Sequence, residues 1–182
     1  HVKQVEGMSS GVAPIFVEAN GQNRILVVKG ANDALKPTDV DAAAETLKAA
    51  DCIVLQFEIP LETVYYTVHF ARKQGIRCIL NPAPAQAIEL SALKGLDYFI
   101  PNESEGETIT GRVVKSVDDA RKCAEKVLSS GIQRVIITLG ANGSLLASHD
   151  ESEHMKPFAV ESIDSTGAGD AFIGSFAVFL GE

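Results

Sequence analysis

The segment Asp164–Phe172 carries the residues whose types and spacing point most directly to chemistry. It reads Asp-Ser-Thr-Gly-Ala-Gly-Asp-Ala-Phe and leads into an almost wholly apolar stretch, Ala171–Leu180, which predicts a helix. Gly167, Ala168 and Gly169 allow the backbone to approach a ligand and to direct successive N–H groups at one point. Because a helix N-terminus carries partial positive charge, this arrangement suits the negative charge of a phosphoryl group during transfer.

Asp170 follows these amides directly. A carboxylate repels phosphate, so an acid in this position fits the role of a base that accepts the proton of an attacking hydroxyl group. The structural alternative is that Asp170 only caps the helix, which is the usual role of Asp at a helix start. Ser165 or Thr166 could supply that cap as well, and Asp170 falls within the first predicted turn, so we favour the catalytic role.

Four apolar runs predict β-strands, and each is followed by polar or glycine-rich residues. The runs are Cys52–Phe57, Arg77–Leu80, Asp97–Ile100 and Arg134–Thr138. The residues that follow them include Glu58, Asn81, Asn102, Glu105, Gly140 and Gly143. Ligands bind at the carboxyl ends of the strands in an open parallel sheet, so the sequence predicts one shared binding edge.

Helical patterns separate these strands. The predicted helices are Asp39–Ala49, Leu61–Gln74, Ser104–Thr110, Val117–Ser130 and a last one from about Ala168. Alternation of helices with nearly continuous apolar strands predicts an α/β fold, in which helices cover both faces of a parallel sheet. Ser144–Ala147 and roughly His154–Phe158 predict antiparallel additions to the sheet. Near the N-terminus, Val12–Val17 and Ile25–Val28 predict a small β appendage, joined by the turn sequence Asn20–Asn23.

The composition limits the classes of partner. The 182 residues include 16 basic and 24 acidic side chains, for a formal net charge of −8, which argues against nucleic-acid binding because phosphate backbones attract clustered Lys and Arg. No run of about 20 apolar residues predicts a membrane span. The three cysteines, Cys52, Cys78 and Cys123, predict no disulfide framework and fit reduced thiols in the cytoplasm. The segment His149–His154 is rich in metal-binding residue types, but its position between two predicted strands favours a solvated loop.

In combination, the motifs resemble the ribokinase family of carbohydrate kinases, also called the PfkB family. Asp164–Asp170 is similar to the family's second signature, Asn102–Glu105 to its N-x-x-E motif, and Thr138–Gly143 to its nucleotide loop. Three further segments look closest to the ribokinase and deoxyribokinase branch: Asn81–Ala85, Ser10–Phe16 and Leu55–Glu58. The resemblance covers essentially the whole chain.

The resemblance implies a ribokinase-like parallel-sheet sandwich with a small β-sheet lid. Residues 1–30 would form part of the lid and its connection, and residues 31–182 the α/β core that binds nucleotide and sugar. The family's N-terminal strand, with its sugar-binding Asp, has no counterpart before His1, and its last helices have none after Glu182. We therefore expect a chain truncated at both ends that does not turn over on its own. Lids expose sheet edges, which predicts a homodimer through the lid in the intact protein.

The implied activity is ATP-dependent phosphorylation of the terminal primary hydroxyl of ribose or 2-deoxyribose. Asp170 would be the general base, and the amides of Gly167, Ala168 and Gly169 the anion hole. Glu58 would bind the sugar, although a solvated carboxylate at a strand end is the structural alternative. The residues that would line ATP are Asn102, Thr138, Gly140, Gly143 and Gly169, and a tight turn between strands is the alternative for the loop.

The resemblance also implies two cations. Asn102 and Glu105 would organise Mg²⁺, largely through water, as suits an ion that sheds its hydration shell reluctantly. Helix capping is the structural alternative for both residues. Asp164 and Thr166 would supply oxygens to K⁺ beside the anion hole. With a net charge of −8, attraction of ATP would come from these cations and the local amides.

Three other functions compete with this interpretation. The first is a related kinase for fructose, a nucleoside or another small alcohol, which a substrate panel would separate. The second is a non-catalytic ligand-binding relative, against which the presence of Asp170 counts. The third is a nicotinamide-dependent oxidoreductase, which the absence of a G-x-G-x-x-G sequence disfavours.

Overall fold

Two sheets organise the residues that this computed structural model describes, 2–17, 23–160 and 165–181. The strands are β1 (Ile15–Val17), β2 (Asn23–Ile25), β3 (Cys52–Leu55), β4 (Arg77–Leu80), β5 (Tyr98–Phe99), β6 (Arg134–Thr138), β7 (Ser144–Ser148) and β8 (Ser152–Met155). β3 to β6 lie side by side and parallel, and β7 and β8 extend this six-stranded sheet in antiparallel fashion. The carboxyl ends of the four parallel strands therefore share one edge.

In the described part of the chain, six α-helices connect or cover the strands. They are α1 (Pro37–Ala42), α2 (Ala44–Lys48), α3 (Leu61–Gln74), α4 (Glu103–Thr110), α5 (Val117–Leu128) and α6 (Ala168–Gly181). The predicted bounds of α3 are confirmed, because Gly75 adopts the left-handed conformation (φ 70°) that ends a helix without strain. The predicted bounds of β4 and β6 are confirmed as well.

The ends of β1, β2, β3, β5, β7, α4 and α5 differ from the predicted bounds by one to three residues. Two other predicted elements differ for reasons that the hydrogen bonds show. The predicted helix Asp39–Ala49 is divided at Ala43, whose N–H is shared between the carbonyls of Asp39 and Val40 at 3.1 Å each, a tightening typical of helix ends. The last strand begins earlier than predicted and ends at Met155, because the β7–β8 turn is closed by a 2.8 Å hydrogen bond from the Ser148 N–H to the Glu151 carbonyl. This turn fixes the pairing register of β8.

Both faces of the large sheet are packed against helices. Leu80 of β4 belongs to a core that includes Val68 of α3 and Val127 of α5. Its neighbour Ile79 points to the opposite face, where it packs in a second core with Ile173 of α6. The predicted parallel-dominated α/β sandwich with helices on both faces is therefore confirmed.

The N-terminal β appendage is a separate two-stranded sheet. β1 and β2 are antiparallel, and a bridge between Val12 and Val28 continues the pairing. The predicted turn Asn20–Asn23 lies largely outside the described residues. Phe16 and Leu26 are both 58% exposed, so the appendage presents apolar surface. Within the described parts of the chain, no helix is long and apolar enough to cross a membrane.

Candidate active site

The link between β5 and α4 places an amide and a carboxylate at the carboxyl edge of the sheet. Asn102 is the N-cap of α4, and its side-chain oxygen accepts the N–H of Glu105 at 2.9 Å. Glu105 returns the contact, because its Oε2 accepts the N–H of Asn102 at 2.8 Å and its Oε1 accepts the Asn102 side-chain amide at 2.9 Å. The two residues form a reciprocal capping box, so the capping alternative is confirmed for both.

Glu105 is a buried carboxyl group, 8% exposed. Burial raises its pKa, and hydrogen bonds from the Asn102 backbone and the Asn81 side chain oppose that rise. Both carboxylate oxygens already accept hydrogen bonds from protein donors. This donor set fits a Mg²⁺ ion held through water better than one ligated directly, which agrees with the indirect role expected from the sequence.

Asn81 belongs to the same site. The sequence placed it at the shared binding edge but assigned it no individual role. Its side-chain amide donates to the Ile100 carbonyl at 2.9 Å and to Glu105 Oε2 at 3.4 Å. Asn81 therefore connects the end of β4 with the end of β5 and the start of α4. The available signal was its position directly after an apolar strand.

The first turn of α6 supplies the amides and the acid. Gly167 has φ 74°, and its carbonyl accepts the N–H of Ala171 at 2.9 Å. The N–H groups of a first helical turn have no carbonyl partner within the helix, so those of Gly169 and Asp170 are available to a ligand. A Cβ atom added at Gly169 would meet nothing within 4 Å, which leaves open space beside these amides. Asp170 is the third residue of α6 and is exposed.

A cleft of about 170 Å³ brings most of these groups together. Its polar lining comes from Asn81, Asn102, Glu105, Thr138, Gly167, Gly169 and Asp170. An adjoining cleft of about 530 Å³ is lined by Gly140, Gly143, Ala168, Phe158 and Phe172, and shares Asn102, Thr138 and Gly169 with the first. The smaller cleft combines these polar groups with the apolar side chains of Ala83, Ile100 and Ile173, whereas the larger one adds two aromatic rings.

The loop after β6 is built around two glycines with positive φ. Gly140 has φ 51°, and a Cβ atom there would lie 3.9 Å from a carboxylate oxygen of Glu103. At Gly143, with φ 87°, a Cβ atom would lie 2.0 Å from the carbonyl oxygen of Met155, so only glycine fits. The tight-turn alternative is confirmed for this loop, and the same loop lines the larger cleft.

Two predicted site residues, Glu58 and Thr166, are not brought into these clefts, and a third lies outside the described residues. Glu58 is exposed and lies three residues beyond the end of β3. Asp164 lies outside the described residues, and Thr166 lies in the turn before α6 without lining either cleft. Among the described residues, no three His, Cys, Asp or Glu side chains gather in a way that could hold a metal ion.

The fold and the site place polar side chains and a glycine-rich helix N-terminus at the carboxyl edge of a parallel sheet, which defines a class of α/β proteins whose ligand sites lie at that edge. Residues 1–182 match the family described as pfkB family carbohydrate kinase, and the chain belongs to that family. The predicted family is thus confirmed.

Individual relatives agree with this assignment. The chain is 47% identical over 178 residues to the deoxyribokinase of Salmonella typhi, covering 97% of this chain and 58% of that protein. It is 40% identical over 173 residues to the ribokinase of Staphylococcus aureus, covering 95% and 57%. The structure of Arabidopsis thaliana ribokinase complexed with ribose and ATP superimposes with a TM-score of 0.86 at 29% identity, covering 96% and 57%. The chain thus spans less than two thirds of the length of these relatives.

Proposed function

We propose that the full-length natural protein transfers the terminal phosphoryl group of ATP to the terminal primary hydroxyl of ribose or 2-deoxyribose. The observation that carries this proposal is the shared cleft, in which Asp170 and the amides at the start of α6 lie with polar groups from β4, β5 and β6. The relatives named deoxyribokinase and ribokinase support a pentose substrate over fructose, a nucleoside or another small alcohol.

In this reaction Asp170 accepts the proton of the sugar hydroxyl as its oxygen attacks the γ-phosphorus. The new O–P bond forms while the bond from phosphorus to the ADP oxygen breaks. The N–H groups of Gly167 and Gly169 face the phosphoryl oxygens and stabilise their charge in the transition state. The N–H of Ala168, the third amide of the predicted anion hole, donates instead to the Ser165 carbonyl at 3.1 Å. Glu58, on the same edge of the sheet, accepts hydrogen bonds from the sugar hydroxyls.

ATP occupies the larger cleft, with its phosphates toward Thr138, Gly140 and Gly143 and its base against the aromatic side chains of Phe158 and Phe172. When bound, Mg²⁺ would neutralise charge on the phosphates, and Asn102 and Glu105 would hold it through water. Asp164 and Thr166 provide oxygens for K⁺. Because the chain carries a net charge of −8, these local groups provide the attraction for ATP.

The proposal also includes the oligomeric state, the location and the class of ligand of the enzyme. The exposed apolar side chains of the appendage, such as Phe16 and Leu26, support a lid that pairs with a second copy in a homodimer. Three free cysteines support a reducing, cytoplasmic location. Small molecules are the proposed ligands, rather than nucleic acid or a membrane.

A substrate panel with an Asp170→Asn variant tests the proposal. ADP release by the full-length natural protein is measured with ribose, 2-deoxyribose, fructose and a nucleoside, and the two pentoses should dominate. Asp170→Asn should lower kcat by about 10²- to 10⁴-fold, because a general base contributes about that factor, while ATP still binds. Asp150→Asn, an exposed acid in the β7–β8 turn, is the matched control. Near-normal turnover of Asp170→Asn would exclude it as the base.

A further inference from the structure

The loop that lines the larger cleft is held from outside by β8. Within the loop, the Asn142 N–H donates to the Leu139 carbonyl at 2.8 Å and the Gly143 N–H donates to the Gly140 carbonyl at 3.1 Å. From β8, the His154 ring nitrogen Nε2 lies 2.7 Å from the carbonyl oxygen of Asn142. This is a short contact between a side chain of the edge strand and the backbone of the loop.

The chemistry of this contact assigns the donor. A carbonyl oxygen only accepts hydrogen bonds, so Nε2 of His154 must carry the hydrogen. The ring is half-buried, and its residue pairs with Leu145 across the β7–β8 ladder, which fixes where the side chain starts. His154 therefore lies in a strand, outside the solvated loop expected for His149–His154.

The contact completes the hydrogen bonding of one peptide group in the loop. The peptide between Asn142 and Gly143 is bonded at its N–H by Gly140 and at its carbonyl by His154. The next carbonyl, of Gly143, accepts the Leu139 N–H at 2.8 Å, whereas the Asn142 carbonyl is oriented by the contact with His154. Without that contact the Asn142–Gly143 peptide would lose one of the two bonds that set its plane. Rotation would move the glycine backbone that lines the cleft.

We propose that His154 is a positioning residue for nucleotide binding: its Nε2–H holds the Asn142 carbonyl and thereby sets the backbone of the loop that faces the ATP phosphates. The proposal rests on the proposed function, because it takes ATP as the ligand of the larger cleft. His154 itself does not line that cleft, so its effect is exerted through the loop.

The test compares three variants of the full-length natural protein. His154→Leu removes the donor, His154→Gln keeps an N–H donor on a side chain of similar reach, and His149→Leu changes an exposed histidine of the same hairpin. ATP binding is titrated by calorimetry without sugar, and KM for ATP, KM for ribose and kcat are measured separately. Since one neutral hydrogen bond is lost, His154→Leu should raise the Kd and KM for ATP about three- to tenfold. KM for ribose and kcat at saturating ATP should stay near the wild-type values.

The outcomes distinguish a failure of the positioning role of His154 from a failure of the proposed kinase function. His154→Gln should recover most of the lost ATP affinity, and His149→Leu should leave it unchanged. Unchanged ATP affinity in His154→Leu, or an equal loss in the Gln and Leu variants, would overturn the positioning role. If the wild-type protein phosphorylates no pentose, the proposed function fails, but the titration without sugar still decides the role of His154. Wild-type protein that does not bind ATP would overturn both.

Discussion

Gly143→Ala and Gly169→Ala should have opposite effects on stability, because Gly143 is required by packing in the loop after β6 whereas Gly169 faces open space at the start of α6. The Cβ atom of an alanine at 143 would lie 2.0 Å from the Met155 carbonyl oxygen and 3.0 Å from the Pro157 nitrogen, at φ 87°. At Gly169 the added Cβ atom would meet nothing within 4 Å. The same added methyl group therefore overlaps backbone atoms at position 143 and enters open space at position 169.

The expected magnitudes follow from these surroundings. A side chain forced into the sparsely populated backbone region costs about 1–3 kcal/mol, and the overlap with Met155 costs about 1–3 kcal/mol more as β8 shifts away. Gly143→Ala should therefore lower the free energy of unfolding by about 2–6 kcal/mol. Gly169→Ala should leave it unchanged or raise it by up to about 1 kcal/mol, because alanine stabilises a helix relative to glycine.

Urea unfolding of the full-length natural protein measures the stability of both variants, and pentose-dependent ADP release measures their activity. Gly169→Ala should lose activity at full stability, because the new methyl group occupies the space beside the amides that face the phosphoryl group. The reasoning is refuted if Gly143→Ala unfolds within about 0.5 kcal/mol of wild type, the range of ordinary surface changes. It is also refuted if Gly169→Ala is the less stable variant of the two.

Two further predictions concern the buried carboxyl group and the lid. Burial raises the pKa of Glu105 above its ordinary value of 4.5, so the folded state binds this proton more tightly than the unfolded chain does. The contribution of Glu105 to the free energy of unfolding therefore falls as the pH rises above 4.5. Glu105→Gln should remove that contribution, and the difference in unfolding free energy between variant and wild type should increase from pH 4 to pH 7 in favour of the variant. A constant difference across this range would contradict the raised pKa. At the lid, Phe16→Ser should shift the full-length protein from dimer toward monomer in light scattering at micromolar concentration, with Val113→Ser, an equally exposed apolar position, as control. A wild-type monomer under these conditions would exclude the dimer.

The sequence predicted the elements well where local signals decide them. Gly75 marks the end of α3, and the apolar run Arg134–Thr138 is a strand in the structure with the same bounds. The division at Ala43 and the register of β8 depend on hydrogen bonds that form only in the folded chain, so the hydrophobic pattern did not reveal them. The hydrophobic pattern therefore predicted whether a segment is a helix or a strand more reliably than it predicted the first and last residues of that segment.

The site was predictable to a similar degree. Asn102, Glu105 and Asp170 were named from motifs, and the structure gathers them in one cleft. Asn81 was placed at the binding edge without a role, because its contacts with Ile100 and Glu105 depend on the distance between neighbouring strands, which the order of residues does not give. For Asn102 and Glu105, the sequence posed capping and metal binding as alternatives, whereas the folded geometry allows capping residues to line the cleft as well.

One turn of α6 serves the core and the cleft at the same time. Ile173 is 5% exposed, packs with Ile79, Ile100 and Ile136 of the sheet, and lines the smaller cleft three residues after Asp170. The acid is thus mounted on a helix whose anchor is the hydrophobic interior. Selection for accurate alignment of the acid then also acts on aliphatic residues behind the cleft, such as Ile79 and Ile136, which pack against Ile173 but do not line the cleft. A change in the size or shape of those side chains would shift α6 on the sheet and displace the Asp170 carboxylate, even where the fold stays stable.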